Sequence, residues 1–177
     1  MPDDERLIAR LKRGDKEALR LIYIEYKDNL LTIATSLLHD TSAAEDVLHD
    51  VFVSFAGSVS RIQLRGSLRN YLIASMVNRI RDQFRKKKYH MVELSEAGQM
   101  TAHAVDPERS AEFSEESRRL MDALARLPFE QREAIVLHLN GRMKFKEIAQ
   151  TQGIPISTVQ GRYRYGLEKL RAILKER

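Results

Sequence analysis

The chain has 177 residues, a formal net charge of +5 and no Cys. This length suits one ordinary domain or two small ones, and the absence of Cys excludes disulfides and thiolate metal sites, as is typical of proteins of a reducing cytoplasm. No apolar run approaches the roughly 20 residues of a membrane helix, and the N-terminal sequence MPDDERLIARLKRGD is charged from its third residue. We therefore expect a cytoplasmic protein with neither a signal peptide nor a membrane anchor.

The charges fall into three blocks. Residues 1–90 contain 16 Lys and Arg against 12 Asp and Glu, residues 91–115 contain 1 against 6, and residues 116–177 contain 13 against 7. An excess of cations at both ends suits a polyanion, because Lys and Arg that neutralise phosphates release condensed counterions. An ordinary solvated surface also fits these numbers, so the motifs must decide between the two.

The first part of the chain has the apolar spacing of α-helices. Residues 5–38 carry apolar side chains at steps of three and four, with a break at Gly14 that predicts two helices. Ser42 lies three residues before a Glu, which predicts a capping box that opens a third helix. Ser67 predicts the start of a long amphipathic helix that ends at about Lys88.

The helical pattern is interrupted once. Residues 91–115 lose the periodicity and gain Gly, Pro and acidic residues, which predicts a flexible linker. Helical spacing returns from Ser117, and no segment has the alternation of a strand. The sequence therefore predicts an all-α protein of two small helical domains, residues 1–90 and 116–177, joined by a flexible acidic linker.

The segment QTQGIPISTVQGRYRYG, residues 150–166, has the pattern of a helix-turn-helix. Gly153 suits a turn that needs positive φ, and Val159 provides the apolar plug from the second helix. Pro155 fits the beginning of that helix, where a missing amide proton costs little, and Ser157 is available to cap it.

The outward side chains of the second helix suit the major groove of DNA. Gln bonds adenine bidentately, Arg bonds guanine or phosphate, and Gly allows close approach of the backbone. The alternative is an αα-hairpin whose outer face is only solvated. The predicted duplex-contacting residues are Thr158, Gln160, Gly161, Arg162, Arg164 and Tyr165.

Two further segments indicate different partners. NRIRDQFRKKKYH, residues 78–90, combines cations with aromatic residues that can stack on unpaired bases, although a basic helix end is also favoured by the helix dipole. AEDVLHDVF, residues 44–52, places carboxylates on one flank of a helix and apolar residues on the other. That acidic flank would repel DNA, so it suits a protein partner with basic residues.

Taken together, three segments resemble a bacterial sigma-70-family factor of the extracytoplasmic-function group, which keeps sigma regions 2 and 4. They are AEDVLHDVF, GSLRNYLIASMVNRIRDQFRKKK and LPFEQREAIVLHLNGRMKFKEIAQTQGIPISTVQGRYRYGLEKLR, and the resemblance covers about residues 7–174. It implies a factor, monomeric when free, that binds core RNA polymerase and directs promoter-specific initiation. Such a factor recognises the −35 element as duplex and the −10 element as opened DNA.

The resemblance also implies which residues meet each partner. The acidic helix would dock on the coiled coil of the polymerase β′ subunit, and the second domain would meet the β flap and the −35 element through the residues named above. Sigma factors of this group are commonly held inactive by an anti-sigma factor. The implied polymerase-binding residues are Glu45, Asp46, His49, Asp50 and Phe52, where the family usually has Gln-Glu in place of His49 and Asp50.

The resemblance assigns the −10 element to a loop and a helix. Residues 58–67 match the segment that captures a flipped base, and residues 68–88 match the helix that lies against the opened strand. Family members often have a Trp near position 56, where this chain has Ala56 and Gly57. The implied −10 residues are Arg61, Gln63, Arg65, Asn78, Arg79, Asp82, Arg85 and Lys86.

Two other classes of function fit the sequence less well. A conventional repressor or activator that uses residues 145–166 alone would normally dimerise on a two-fold operator, and it would leave the acidic helix without a purpose. An enzyme would need convergent titratable groups, but the five His show no ligand spacing and no Gly-rich phosphate loop is present. We therefore expect no catalytic activity, no cofactor and no metal.

Overall fold

The computed structural model describes residues 2–64, 66–95 and 114–176. This part of the chain is built from α-helices and one short 3₁₀ turn and contains no strand, so the expected all-α fold is confirmed. The helices are α1 (Pro2–Lys12), α2 (Lys16–Leu38), α3 (Thr41–Ser58), α4 (Leu68–Ser95), α5 (Glu115–Ala125), α6 (Phe129–Leu139), α7 (Phe145–Gln152) and α8 (Ile156–Lys175), with the 3₁₀ turn at Val59–Arg61.

In the first half of the chain, α2 is the central helix and packs against α1, α3 and α4. Its buried side chains recur at three- and four-residue steps, as the apolar spacing predicts. They meet apolar side chains of the other helices in one core. The largest of these buried side chains are Ile22, Leu30, Ile33, Leu37, Phe55, Leu68, Leu72, Ile73, Met76 and Ile80.

The second half contains the predicted helix-turn-helix in α7 and α8. Gly153 ends α7 with φ of 65°, a left-handed conformation that favours Gly, and α8 begins at Ile156 after Pro155. Ile148 and Val159 are fully buried between the two helices. The geometry of the motif therefore agrees with its sequence pattern.

Some predicted helix ends were wrong. Asp40, not Ser42, caps α3: its carboxylate accepts a hydrogen bond of 2.9 Å from the backbone N–H of Ala43, so Ser42 lies inside the helix. Ser67 does cap α4, because its Oγ accepts from the N–H of Asn70 at 3.2 Å. At α8, Ser157 makes no capping hydrogen bond, since the chain already turns at Pro155.

The boundaries of the predicted linker also differ. The long helix α4 continues past Lys88 to Ser95. At the other end α5 begins at Glu115 and not at Ser117, because the Oγ of Ser114 accepts from the N–H of Ser117 and caps the helix earlier. Residues 96–113 of the predicted linker lie outside the described residues.

Helix α6 joins the two halves of the chain. It packs against α8 on one side and against α2 on the other, and six consecutive residues, 132–137, are buried. The hydrophobic core of the first half consequently continues into the second half. Among the described residues, no helix combines the length and the apolar character that crossing a membrane requires.

Candidate nucleic-acid and partner interfaces

A groove of about 860 Å³ lies between α2 and α3. Two of its apolar side chains are strongly exposed, Tyr23 at 40% and Val53 at 58%. The ring of Tyr23 meets that of Phe52 edge to face, with the centroids 4.9 Å apart, which holds both rings in place. The groove thus combines a rigid apolar surface with polar side chains around it.

The predicted polymerase-binding residues divide between this groove and the adjacent flank of α3. Glu45, His49 and Phe52 line the groove, and Phe52 is only 7% exposed, so it contributes a wall more than a contact surface. Asp46 and Asp50 are exposed beside it, and Asp50 forms an ion pair of 3.3 Å with Arg79 of α4.

The sequence interpretation missed the α2 side of the groove. Tyr23 falls within the apolar spacing of residues 5–38, but its side chain is exposed and borders the groove. The cations Lys16, Arg20 and Lys27 stand on the same wall, opposite Glu45. Their spacing along α2 could have indicated a charged face, but only the packing of α3 shows that it borders a groove.

The predicted base-capturing loop is held to the first half by its backbone. The Nζ of Lys12 donates a hydrogen bond of 2.8 Å to the carbonyl oxygen of Ile62, whose own side chain is buried. Arg61 and Gln63 on either side of it are exposed. The loop thus presents two polar side chains on an anchored backbone, and Arg65 lies outside the described residues.

The predicted −10 residues of α4 form an exposed, charged row. Asn78, Asp82, Arg85 and Lys86 are exposed, and Arg85 donates to the carboxylate of Asp82 at 2.6 Å. Exposed ion pairs of this kind are worth at most about 1 kcal/mol, so these side chains can exchange partners readily. Arg79 is half-buried.

The outer surface of α8 has a shallow hollow of about 390 Å³ beside α7. Gln160, Gly161 and Arg164 line it together with Tyr163, whose ring packs against Phe145 with the centroids 5.2 Å apart. A Cβ at Gly161 would meet no atom within 4 Å, so the backbone there is open to an approaching molecule.

The remaining predicted −35 residues are arranged unequally. Thr158 is exposed. Arg164 and Tyr165 are exposed as a pair, with the guanidinium carbon 4.9 Å from the ring centroid. Arg162 is half-buried and donates a hydrogen bond of 3.1 Å to the side-chain oxygen of Gln152, so it is held against α7. Of these four side chains, Arg162 is therefore the least available to DNA.

No candidate metal centre is found in the described segments, where no three residues among His, Asp and Glu converge on one point. Buried titratable groups lie instead at contacts between helices. Burial lowers the pKa of His39, at the end of α2, to about 4, and the nearby Arg132 adds to this effect. Burial raises the pKa of Glu133 of α6, which Arg81 of α4 opposes.

Comparison with known proteins identifies the family. Residues 22–89 match the family described as Sigma-70 region 2, and residues 117–170 match the family described as Sigma-70, region 4. The two matches together cover more than half of the chain. The chain belongs to the sigma-70 family. Region 2 therefore comprises most of α2 together with α3 and α4, and region 4 contains the helix-turn-helix.

Curated relatives place this sigma factor in the extracytoplasmic-function group. It is 26% identical over 181 residues to the ECF RNA polymerase sigma factor SigW of Bacillus subtilis, covering 97% of each chain. It is also 26% identical over 169 residues to the RNA polymerase sigma factor CarQ of Myxococcus xanthus, covering 96% of each. The protein is thus a sigma factor of promoter-specific transcription initiation.

Solved structures share its fold. The sigma factor RpoE of Bartonella quintana, in complex with the anti-sigma factor NepR, superposes with a TM-score of 0.74 at 23% identity, over 89% of this chain and 96% of that one. CnrH, in complex with the cytosolic domain of CnrY, gives a TM-score of 0.70 at 23% identity, over 97% of each chain.

Proposed function

We propose that this sigma factor docks core RNA polymerase through the groove between α2 and α3 and its acidic flank. The observation that carries the proposal is the exposure of Tyr23 and Val53 beside Glu45, Asp46 and Asp50. A rigid apolar surface with a charged rim is the anatomy of a protein interface, and the carboxylates select a basic partner. The coiled coil of the β′ subunit is the proposed occupant.

The docking proposal is tested with two matched variants. Val53→Arg places a charge in the groove and should lower the affinity for core polymerase by about tenfold or more, because a buried unpaired charge is costly. Ile24→Arg makes the same change at a 48% exposed position that does not line the groove, and should leave the affinity unchanged. Equal affinities of the two variants would refute the assignment.

We propose that the loop around Arg61 and Gln63, together with α4, holds the opened −10 strand. Melting DNA costs about 1 to 2 kcal/mol for each stacked step, so a protein that binds unstacked bases shifts the equilibrium toward the open form. The anchored loop offers donors for a flipped base, and Arg79 and Arg85 can follow the phosphates. Arg65, Asn78, Asp82 and Lys86 complete the proposed −10 surface.

We propose that the exposed part of α8 recognises the −35 element. Gln160, Arg164 and Tyr165 face outward next to the open backbone at Gly161, which suits base and phosphate contacts in a major groove. Thr158 and Arg162 flank this surface.

A matched pair of variants on α8 tests this proposal through the salt dependence of the affinity for a −35 duplex. Arg164→Ala should weaken binding to a −35 duplex and reduce the salt slope by about one counterion. Arg171→Ala removes the same charge from an exposed position further along the helix and should change the slope little. Identical salt slopes for the two variants would contradict the assignment.

We also propose the domain boundaries, a further partner, the oligomeric state and the location of this sigma factor. The first domain ends with α4 and the second begins with α5, with a linker between them, and the second domain also meets the β flap. The two structural neighbours are complexes with an anti-sigma factor and with a cytosolic protein domain, which supports an anti-sigma partner for this chain as well. The free factor is a monomer that acts on polymerase in the bacterial cytoplasm, and the chemistry of initiation stays with the polymerase.

A further inference from the structure

The end of α1 lies against the proposed base-capturing loop, residues 58–67. The Nζ of Lys12, the last residue of α1, donates a hydrogen bond of 2.8 Å to the carbonyl oxygen of Ile62. The two residues are 50 positions apart in the chain, so this bond joins the first helix to a loop that follows the third. Helix α1 also packs against the 3₁₀ turn at Val59–Arg61. It therefore borders the proposed −10 surface without being part of it.

Ile62 is held through its N–H, its side chain and its carbonyl group. The N–H donates to the carbonyl oxygen of Val59 at 3.3 Å, the side chain is 8% exposed, and the carbonyl oxygen accepts from Lys12. The exposed residues on either side of it, Arg61 and Gln63, are the proposed donors to a flipped base. A fixed backbone at Ile62 limits the directions of these two side chains, so less conformational entropy is lost when a base binds.

Contacts with α2 hold α1 near both of its ends. Near its beginning, the carboxylate of Asp4 accepts a hydrogen bond of 2.7 Å from the hydroxyl group of Tyr26, and both side chains are buried. Near its end, the Nε of Arg10 donates at 2.8 Å to the carboxylate of Asp15, which also caps α2. Lys12 therefore reaches the loop from a helix whose position is set by α2 and not by the loop.

The helix dipole gives a simpler reason for a cation at this place. Lys and Arg are favoured in the last turn of a helix, and α1 has both Arg10 and Lys12 there. The dipole does not, however, select one acceptor outside the helix. A Lys side chain loses rotamer freedom when it bonds to a single carbonyl group, so the bond to Ile62 needs a reason beyond the dipole.

We infer that Lys12 is a positioning residue for the capture of the flipped −10 base: from α1 it holds the loop in the conformation in which Arg61 and Gln63 meet that base. The inference rests on the proposed function of the loop. Lys12 acts through the carbonyl group of Ile62 and contacts neither the base nor the phosphates. Its removal should therefore weaken the contact with the base, and should leave polymerase docking and recognition of the −35 element unchanged.

Three variants separate positioning from charge. Lys12→Met keeps most of the aliphatic chain and removes the donor, whereas Lys12→Arg keeps a cationic donor that can reach the same carbonyl group. Arg13→Met is the matched control, because it removes one positive charge from the adjacent, exposed position. Neither Lys12 nor Arg13 belongs to a proposed binding surface, so each variant leaves the −10 and −35 residues intact.

Binding of the opened strand is measured with the holoenzyme, the complex of this protein with core polymerase. The probe is the single-stranded non-template −10 segment of a promoter that the wild type uses in vitro, intact or with an abasic site at each position in turn. Lys12→Met should lower the affinity for the intact strand about three- to tenfold, the range for one hydrogen bond. At one position, an abasic site should reduce this difference to less than about twofold. Lys12→Arg and Arg13→Met should bind every strand as the wild type does.

Hydrogen exchange in the free protein reports on the loop itself. The amide of Ile62 should exchange about three- to tenfold faster in Lys12→Met than in the wild type, because one of the contacts that oppose local opening is gone. The rates in Lys12→Arg and Arg13→Met should be those of the wild type. Nuclear magnetic resonance resolves this single amide.

Three results would overturn the inference. The first is a loss of affinity in Lys12→Met that no abasic site removes, since Lys12 would then contact the phosphates. The second is an unchanged affinity for the intact strand, and the third is an unchanged exchange rate of the Ile62 amide. Failure of the proposed function is distinguishable, because no abasic site would then lower the affinity of the wild type, whereas the exchange of Ile62 would still depend on Lys12.

Discussion

The ion pair between Arg81 and Glu133 gives a prediction about stability that depends on which partner is removed. The side chain of Glu133 is 2% exposed, whereas that of Arg81 is 26% exposed and has a second acceptor in the carbonyl of Thr151. Removing the acid leaves a cation that can reach water. Removing the cation leaves a carboxylate that cannot reach water, so the two single variants should lose different amounts of stability.

The magnitudes follow from this asymmetry. Arg81→Ala strands a buried charge and should lower the free energy of unfolding by about 3 to 5 kcal/mol. Glu133→Ala removes one charged hydrogen bond and should cost about 1.5 to 3 kcal/mol. The double variant should cost less than the sum of the two, with a coupling of about 2 kcal/mol, because the second change no longer strands a charge.

The dependence on pH has a definite sign. Burial raises the pKa of Glu133 above its ordinary value of 4.5, and Arg81 opposes this, so removing Arg81 raises that pKa further. An acid whose pKa is raised by folding stabilises the fold at low pH, and this contribution is lost as the pH rises through the folded pKa. Relative to the wild type at each pH, the Arg81→Ala variant should therefore gain stability as the pH is lowered from neutral toward the ordinary pKa of a glutamic acid.

Urea unfolding followed by far-ultraviolet circular dichroism measures these free energies, with the slope m as a check that the denatured state is unchanged. Equal costs for the two single variants, with no coupling and no difference in pH dependence, would refute the description of Glu133 as a buried acid compensated from the other domain.

Three further predictions concern other positions. Gly166→Ala should be less stable than Gly161→Ala by about 1 to 3 kcal/mol: both gain helix propensity, but only the first puts a Cβ 2.9 Å from a buried isoleucine of α6. Thermal melts at equal concentration would show the difference, and equal melting temperatures would contradict it. His39 has its pKa lowered to about 4, so the stability that it contributes is present above about pH 6.5 and is lost as the pH falls toward 4. Asn tolerates the left-handed backbone at this position, so the His39→Asn variant should lose less stability over that range. Urea titrations at several pH values measure the difference. Asp46→Lys/Asp50→Lys should abolish binding to core polymerase in a pull-down while changing the free energy of unfolding by less than about 1 kcal/mol, since both side chains are exposed; retained binding would exclude the acidic flank.

The local parts of this structure could be predicted from the sequence because their determinants are short-range. Helical spacing identified the helices, and Gly153 and Val159 located the turn and the plug of the helix-turn-helix. Capping was less predictable: Ser42 had a suitable Glu three residues later, but Asp40 lies closer to the break after α2 and supplies a better acceptor.

The contact between the two halves could not be predicted, because its determinants are distant in sequence. Arg81 and Glu133 belong to residue types that are normally exposed, and only their pairing across 52 positions buries the acid. One indication was present in the sequence: the four consecutive apolar residues 134–137 leave this part of α6 without a polar face, which is typical of a helix covered on several sides.

Transcription in vitro shows whether this protein directs initiation at specific promoters. Core RNA polymerase is supplied with genomic fragments, with and without this protein, and the 5′ ends of the transcripts are sequenced. We expect new start sites that depend on the protein and share two upstream elements at a fixed spacing. If no start site depends on the protein while it still retains DNA fragments by itself, the chain acts as an operator-binding regulator, and the account of its promoter and polymerase surfaces is wrong.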